Sequence, residues 1–199
     1  MTNQGKLLEI DRCPHCSVDR PHLHYKTTIE TSDHTGTFRR VWVMYACTRC
    51  GGVVTAWSHK GNAQIKKMYP EPLRVEEAIP DRAKEYLEQA INSMSSPAGA
   101  VMLAASSVDA MLKEKGLTEG SLYFRINKAV ENHLITEEMS RWAHEVRLEA
   151  NDQRHSDNNS ALPTSEDASK LVDFVQALGT FLFVLPARVE RGITNAQSS

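Results

Sequence analysis

The sequence predicts an α+β protein: a small N-terminal β ribbon built around a metal ion, then an all-α bundle of about five helices. Three observations predict it. All four cysteines fall in two knuckles, Cys13-Pro14-His15-Cys16 and Cys47-Thr48-Arg49-Cys50. The prolines of Tyr69-Pro70, Pro72 and Ile79-Pro80 then interrupt the chain. Beyond Asp81 the apolar period changes from that of a strand to that of a helix. The boundaries read as a zinc ribbon over 1–68, a proline-containing linker over 69–80, a helical bundle over 81–188 and a flexible tail over 189–199.

Two Cys-x2-Cys pairs present four thiolates to one tetrahedral ion, each knuckle leaving the metal half coordinated until the other arrives. The spacing points to structural Zn2+ held by Cys13, Cys16, Cys47 and Cys50. A site closed by four thiolates has no open position for catalysis, unless His15, His22, His24 or His34 replaces one of them. Thirty residues separate Cys16 from Cys47, so the insert must be a hairpin. Leu23, Tyr25, Thr27 and Ile29 alternate with polar residues as in a half-buried strand, and Asp33-His34-Thr35-Gly36 is a turn. The β-branched and aromatic run from Phe38 to Ala46 returns to the second knuckle, and Gly52 to Trp57 supplies a third strand.

The helical half begins with Asp81 to Ser93, which places Ala83, Tyr86, Leu87, Ala90 and Ile91 on one side. Ser96-Pro97 reads as N-cap and first-turn proline of a second helix, rich in alanine and ended by Gly116 near Lys115. A third helix runs from Ser121 to His133 with Leu122, Ile126, Ala129 and Val130 inward. Thr136-Glu137-Glu138 starts a fourth, with acids at its positive end. A polar loop, Ser156 to Ser160, follows. Thr164-Ser165-Glu166-Asp167 resembles a capping box that opens the last helix, which stops at Pro186. Asp173 and Gln176 interrupt its apolar character, so it reads as a core helix and not a membrane span.

The 199 residues carry 23 Lys/Arg and 25 Asp/Glu, a net charge of −2, in an ordinary globular composition. That balance is uneven. Residues 1–70 hold ten basic against five acidic residues, or +5, and residues 71–199 thirteen against twenty, or −7. The acidic half argues against a broad phosphate-attracting surface on the helices. In the basic half Tyr25, Phe38, Trp42, Tyr45 and Trp57 interleave with Arg39, Arg40, Arg49, Lys60, Lys66 and Lys67, a pattern that suits base stacking if the rings are exposed. The expectation for a three-stranded ribbon is that most of them form its core. No apolar leader follows Met1, and a cytoplasmic, reducing location without membrane contact is expected.

The fourth helix carries a polar stripe. At about 100° per residue, His144, Arg147, Asn151, Arg154 and His155 share one arc, beside an apolar arc of Met139, Trp142, Ala143, Val146 and Ala150. An imidazole exchanges protons near neutral pH, a guanidinium holds phosphate in a fork and an amide orients either. The same residues also suit helix capping and ion pairing.

The order of Cys-Pro-His-Cys, a long hairpin, Cys-Thr-Arg-Cys-Gly, Tyr69-Pro70, Ile79-Pro80, the alanine-rich helix, Arg147-x3-Asn151-Asp152-x2-His155 and a last apolar helix resembles domain-of-unknown-function family 4145, over residues 13–188. The resemblance implies a helical part similar to HEPN domains and a place beside prokaryotic defence proteins. Many HEPN domains are metal-independent ribonucleases that dimerise and carry an Arg-polar-x3-His motif. Asn151 and His155 match that motif, whereas Arg147 stands four residues before Asn151, Ala150 replaces a common glycine, and Ser106-Ser107-Val108-Asp109 lacks a common arginine.

Two functions follow as expectations. In the first the protein is a metal-independent endoribonuclease or RNA-binding module, with His155 as general acid/base, Arg147 as phosphate clamp and Asn151 orienting one of them. In the second it is a non-enzymatic module that contacts a defence-system protein through the ribbon and forms a homodimer through its helices.

Overall fold

The computed structural model describes the backbone of residues 3–155 and 161–197, and the side chains of these apart from 154 and 155. The chain forms two compact units, Met1–Leu73 and Arg74–Ser199. The expected polar loop Ser156 to Ser160 lies outside the described residues.

The first unit is one antiparallel sheet, with strands in sequence order: β1 (Leu7–Leu8), β2 (Leu23–Thr31), β3 (Arg40–Cys47), β4 (Val53–His59) and β5 (Lys67–Tyr69). The central three are those that the alternation predicts. The edge strands β1 and β5 are too short to carry a period. In the β2–β3 turn the Asp33 carboxylate accepts from the Phe38 amide at 2.9 Å, and Gly36 supplies a φ of +73°. Leu8, Leu23, Val43, Tyr45, Val54 and Ala56 form the core with Cys13 and Cys47.

A bulge in β2 changes what the alternation implied. Leu23 and Tyr25 pair with Cys47 and Tyr45, but the register shifts before Thr27, which pairs with Met44. Because side chains alternate strictly, one extra residue sends everything beyond it to the opposite face. Ile29, paired with Trp42, is therefore 52 % exposed.

The second unit is all-α: α1 (Asp81–Asn92), α2 (Pro97–Glu114), α3 (Leu122–Glu131), α4 (Glu137–His155), α5 (Ser165–Gly179) and α6 (Leu185–Gln197). Local chemistry sets the starts. Pro97 opens α2, although the Ser96 hydroxyl makes no cap bond. Ser121 accepts from the Phe124 amide, Thr136 from that of Met139, and Thr164 with Asp167 completes a capping box. Gly116, at φ +86°, follows α2 in the left-handed conformation of a helix stop.

The central helix is α2. Its Ala100, Ala104, Ala105 and Ala110 are buried, and its buried Ser107 hydroxyl donates to the Ala83 carbonyl of α1 at 2.8 Å. Small side chains let neighbouring helices approach closely, so the alanine-rich surface serves the unit's own core. Ile126, Val146, Leu171, Phe174, Val175 and Leu178 complete it.

The last helix does not stop at Pro186, and residues 189–197 are helical. From Ser165 to Gln197 the chain is helical without a break, with a π-helical turn at Thr180–Val184 joining α5 to α6. There the Leu185 amide donates to the Thr180 carbonyl, five residues back. Proline lacks a donor and crowds the carbonyl four residues earlier; the widened turn just before Pro186 relieves this without ending the helix. This helix is long and apolar enough to cross a bilayer by length and composition, but half of its apolar window is buried in the unit. A membrane protein is not indicated.

Candidate metal centre and helical pocket

The two knuckles meet because β2 and β3 pair along their length. Cys47 ends β3 opposite Leu23, and Leu23 follows the first knuckle. The knuckles share a turn. Ser17 donates to the Cys13 carbonyl and Gly51 to the Cys47 carbonyl, each at 2.9 Å, and each donor lies four residues after the first cysteine with positive φ. The four sulfur atoms lie within 4.8 Å of one another, and Cys13 Sγ and Cys50 Sγ are 3.9 Å apart. A tetrahedral ion with ~2.3 Å bonds to sulfur requires sulfurs ~3.8 Å apart. The arrangement therefore fits a metal ion. No histidine joins this group among the described residues. His15 instead contacts the Val53 carbonyl through Nε2 at 2.8 Å, and its ring fills the space a Cβ on Gly52 would need.

The thiols are not equivalent. Burial pushes Cys16 up to about 12. Burial also opposes ionisation of Cys47, but the amides of Cys50 and Arg49 and the neighbouring thiols outweigh it and bring this group down to about 7.

In the helical unit, α1 to α4 enclose a pocket of about 560 Å³. Arg147 and Asn151, one turn apart on α4, form part of its wall, facing residues that include Arg82 and Tyr86 of α1, Ser106 and Lys113 of α2 and Tyr123 of α3. The Arg147 guanidinium lies 5.3 Å from the centre of the Tyr123 ring, and its buried Nε has no hydrogen-bond partner. Tyr123 also meets the His144 ring, at 4.9 Å. His144 Nε2 meets Asn127 Oδ1 at 3.0 Å, and burial, then Arg147, lower its pKa. Both effects favour the neutral imidazole, which is bound to Asn127.

Of the predicted catalytic residues the structure brings Arg147 and Asn151 to one wall. His155 ends α4, and its side chain, like that of Arg154, lies outside the described residues. Sequence reasoning missed Tyr123, Arg82 and Arg125. Arg125 occupies the inward face of α3, where Nε donates to Asp109 Oδ1 at 2.8 Å and Nη1 to the carbonyls of Thr118, Glu119 and Gly120. The clue was an arginine immediately beside Ile126 on an apolar face. Its charge is neutralised by Asp109, so Arg147 and Arg82 are the arginines left to meet an anion.

These features define a class of chain: a four-cysteine, metal-competent sheet followed by a helical unit with a cationic, aromatic pocket. The family model described as "Domain of unknown function (DUF4145)" matches residues 87–196, more than half of the chain, and the protein belongs to that family. The match begins inside α1 and leaves the sheet unit outside. No curated protein and no solved structure matches the chain.

Proposed function

We propose that the protein is a zinc-containing, HEPN-like RNA-directed module of prokaryotic defence type, whose helical pocket binds an RNA phosphate and supports metal-independent cleavage. The observation that carries this reading is the convergence of Arg147, with its unpaired Nε, and Asn151 on one wall of the pocket. A phosphate in the pocket would meet the Arg147 guanidinium and the Asn151 amide, and the low-dielectric wall would strengthen the contact. His155 lies one helical turn beyond Asn151. It takes the proton of the ribose 2′-hydroxyl or gives one to the leaving 5′-oxygen, while the 2′-oxygen attacks phosphorus and a 2′,3′-cyclic phosphate forms. The defence setting and a defence-system partner come from the family resemblance.

Cleavage survives chelation mild enough to spare the cysteine site, and falls on the order of a hundredfold in His155→Ala and in Arg147→Ala. Product analysis and rates on folded variants check this. Unchanged cleavage in His155→Ala assigns the activity to another site; RNA binding without cleavage by the wild type leaves a binding module.

A second reading, an interaction module that self-associates, has its own observation. Phe181, Leu185, Val189 and Ile193 recur every fourth residue and are 40–60 % exposed along a groove of about 630 Å³. An apolar helical stripe of this kind packs against its symmetry mate in a homodimer. Light scattering then returns twice the chain mass of 22.3 kDa, and Val189→Glu returns a monomer. A wild-type monomer at every accessible concentration removes this reading.

A further inference from the structure

The rings expected in the ribbon's core are mostly elsewhere. Only Tyr45 is fully buried, while Tyr25 and Phe38 are 47 % and 42 % exposed and Trp42 and Trp57 half-buried. The register explains this. Val43, Tyr45, Val54 and Ala56 point to the core, so Arg40, Trp42, Trp57 and His59 take the opposite face, where Trp42 pairs with Trp57 and Arg40 with His59. The bulge in β2 adds Ile29 beside Trp42.

The result is a contiguous aromatic surface. Trp42 lies 5.9 Å from Trp57 and 6.2 Å from Tyr69, and Phe38 lies 6.4 Å from Trp57. Cations are set among the rings. The Arg40 guanidinium sits 4.8 Å from the Phe38 ring centre and 4.9 Å from that of Trp57, and Lys67 lies 5.3 Å from Tyr69. Arg40 has no carboxylate partner among the described residues, and its Nε is buried without a hydrogen bond. Glu30 and Glu71 are already paired with Lys60 and Lys67 in exposed bridges that a phosphate displaces at little cost, and the Asp33 carboxylate is held by the Phe38 amide and the Thr35 hydroxyl.

We propose that this outer face binds single-stranded nucleic acid, bases stacking on Trp42, Trp57 and Tyr69 and the backbone meeting Arg40 and Lys67. Flat rings and a guanidinium plane on one sheet face offer π surfaces to unpaired bases, and the cations supply the charge complement of phosphate. A duplex keeps its bases stacked on each other and has none to offer. A protein partner would have to bring a carboxylate to the Arg40 and Lys67 charges, whereas every nucleotide carries a phosphate. The site is independent of the helical pocket and stands if that reading fails.

The test uses the full chain carrying Trp142→Phe, so that fluorescence reports only Trp42 and Trp57. Short single-stranded RNA and DNA oligonucleotides of one sequence, a duplex of the same length and heparin are titrated. Either single strand quenches the fluorescence, and the stronger of the two identifies the preferred sugar. Trp42→Leu and Trp57→Leu each weaken binding about 5- to 100-fold, Trp57→Phe largely restores it, and Arg40→Gln weakens it and flattens its salt dependence. Circular dichroism and metal content show that the variants are folded. If the leucine variants do not fold, Tyr69→Ser at the end of the edge strand carries the test. Equal binding of duplex or heparin, unchanged affinity in the folded variants, or no quenching overturns the proposal. Self-association abolished by Trp57→Leu, with no oligonucleotide bound, reassigns the face to a second copy.

Discussion

Cys47→Ser leaves the protein without its bound metal and with a disordered sheet unit, while the helical unit stays folded. Cys47 ends β3 and pairs with Leu23, so the lost thiolate sits where the cysteine cluster, hairpin and core converge. The core around it is small: Leu8, Leu23, Val43, Tyr45, Val54 and Ala56 are its buried residues besides cysteine. Domains of this size rarely hold together on apolar burial alone, and a structural zinc site supplies on the order of 10 kcal/mol that is folding free energy. The helical core shares no residue with this cluster. Metal analysis of freshly purified, reduced wild type returns one zinc per chain and the variant none; far-UV circular dichroism keeps the helical signal. Wild type free of zinc, or a variant with an intact sheet, defeats the expectation.

Arg125→Ala lowers the stability of the helical unit by about 3–5 kcal/mol, the range for breaking one side of a buried ion pair. The Arg125 side chain is 9 % exposed and that of Asp109 22 %. One guanidinium serves the Asp109 carboxylate and three carbonyls of the α2–α3 connection. Alanine leaves those carbonyls unpaired and Asp109 with Lys113, 2.7 Å away, as its remaining ion-pair partner. Arg125→Lys does not rescue, since an ammonium lacks the planar fork that reaches both sides. Asp109→Asn combined with Arg125→Met recovers part of the loss, because no carboxylate is then left short of its guanidinium partner. Thermal unfolding of the helical unit reads these effects; a wild-type midpoint in Arg125→Ala refutes them.

The cysteine site was legible because its signal is local twice over: each knuckle spans four residues, and a hairpin was the one connection that could join them. The helical pocket was legible in part. The spacing of Arg147 and Asn151 placed them on one helix face, but Tyr123 and Arg82 come from other helices and carry no spacing relation to α4. Arg125 was missed, because its partner Asp109 lies sixteen residues away on another helix.

What the sequence determined by itself is what short-range chemistry decides: the knuckles, the central strands, the capping box at Thr164 and Asp167, the glycine stop at Gly116 and the change from strand to helix period. Each depends on groups within a few residues of one another. Only the tertiary structure decided which face each element shows. One extra residue in β2 moved Ile29 outward, strand register turned Trp42 and Trp57 away from the core, and a π-helical turn carried the last helix past Pro186. Register, bulges and helix continuation depend on hydrogen bonds and packing between segments distant in sequence or on backbone geometry that adapts to them. A small shift there redirects every following side chain, with no mark in the local pattern.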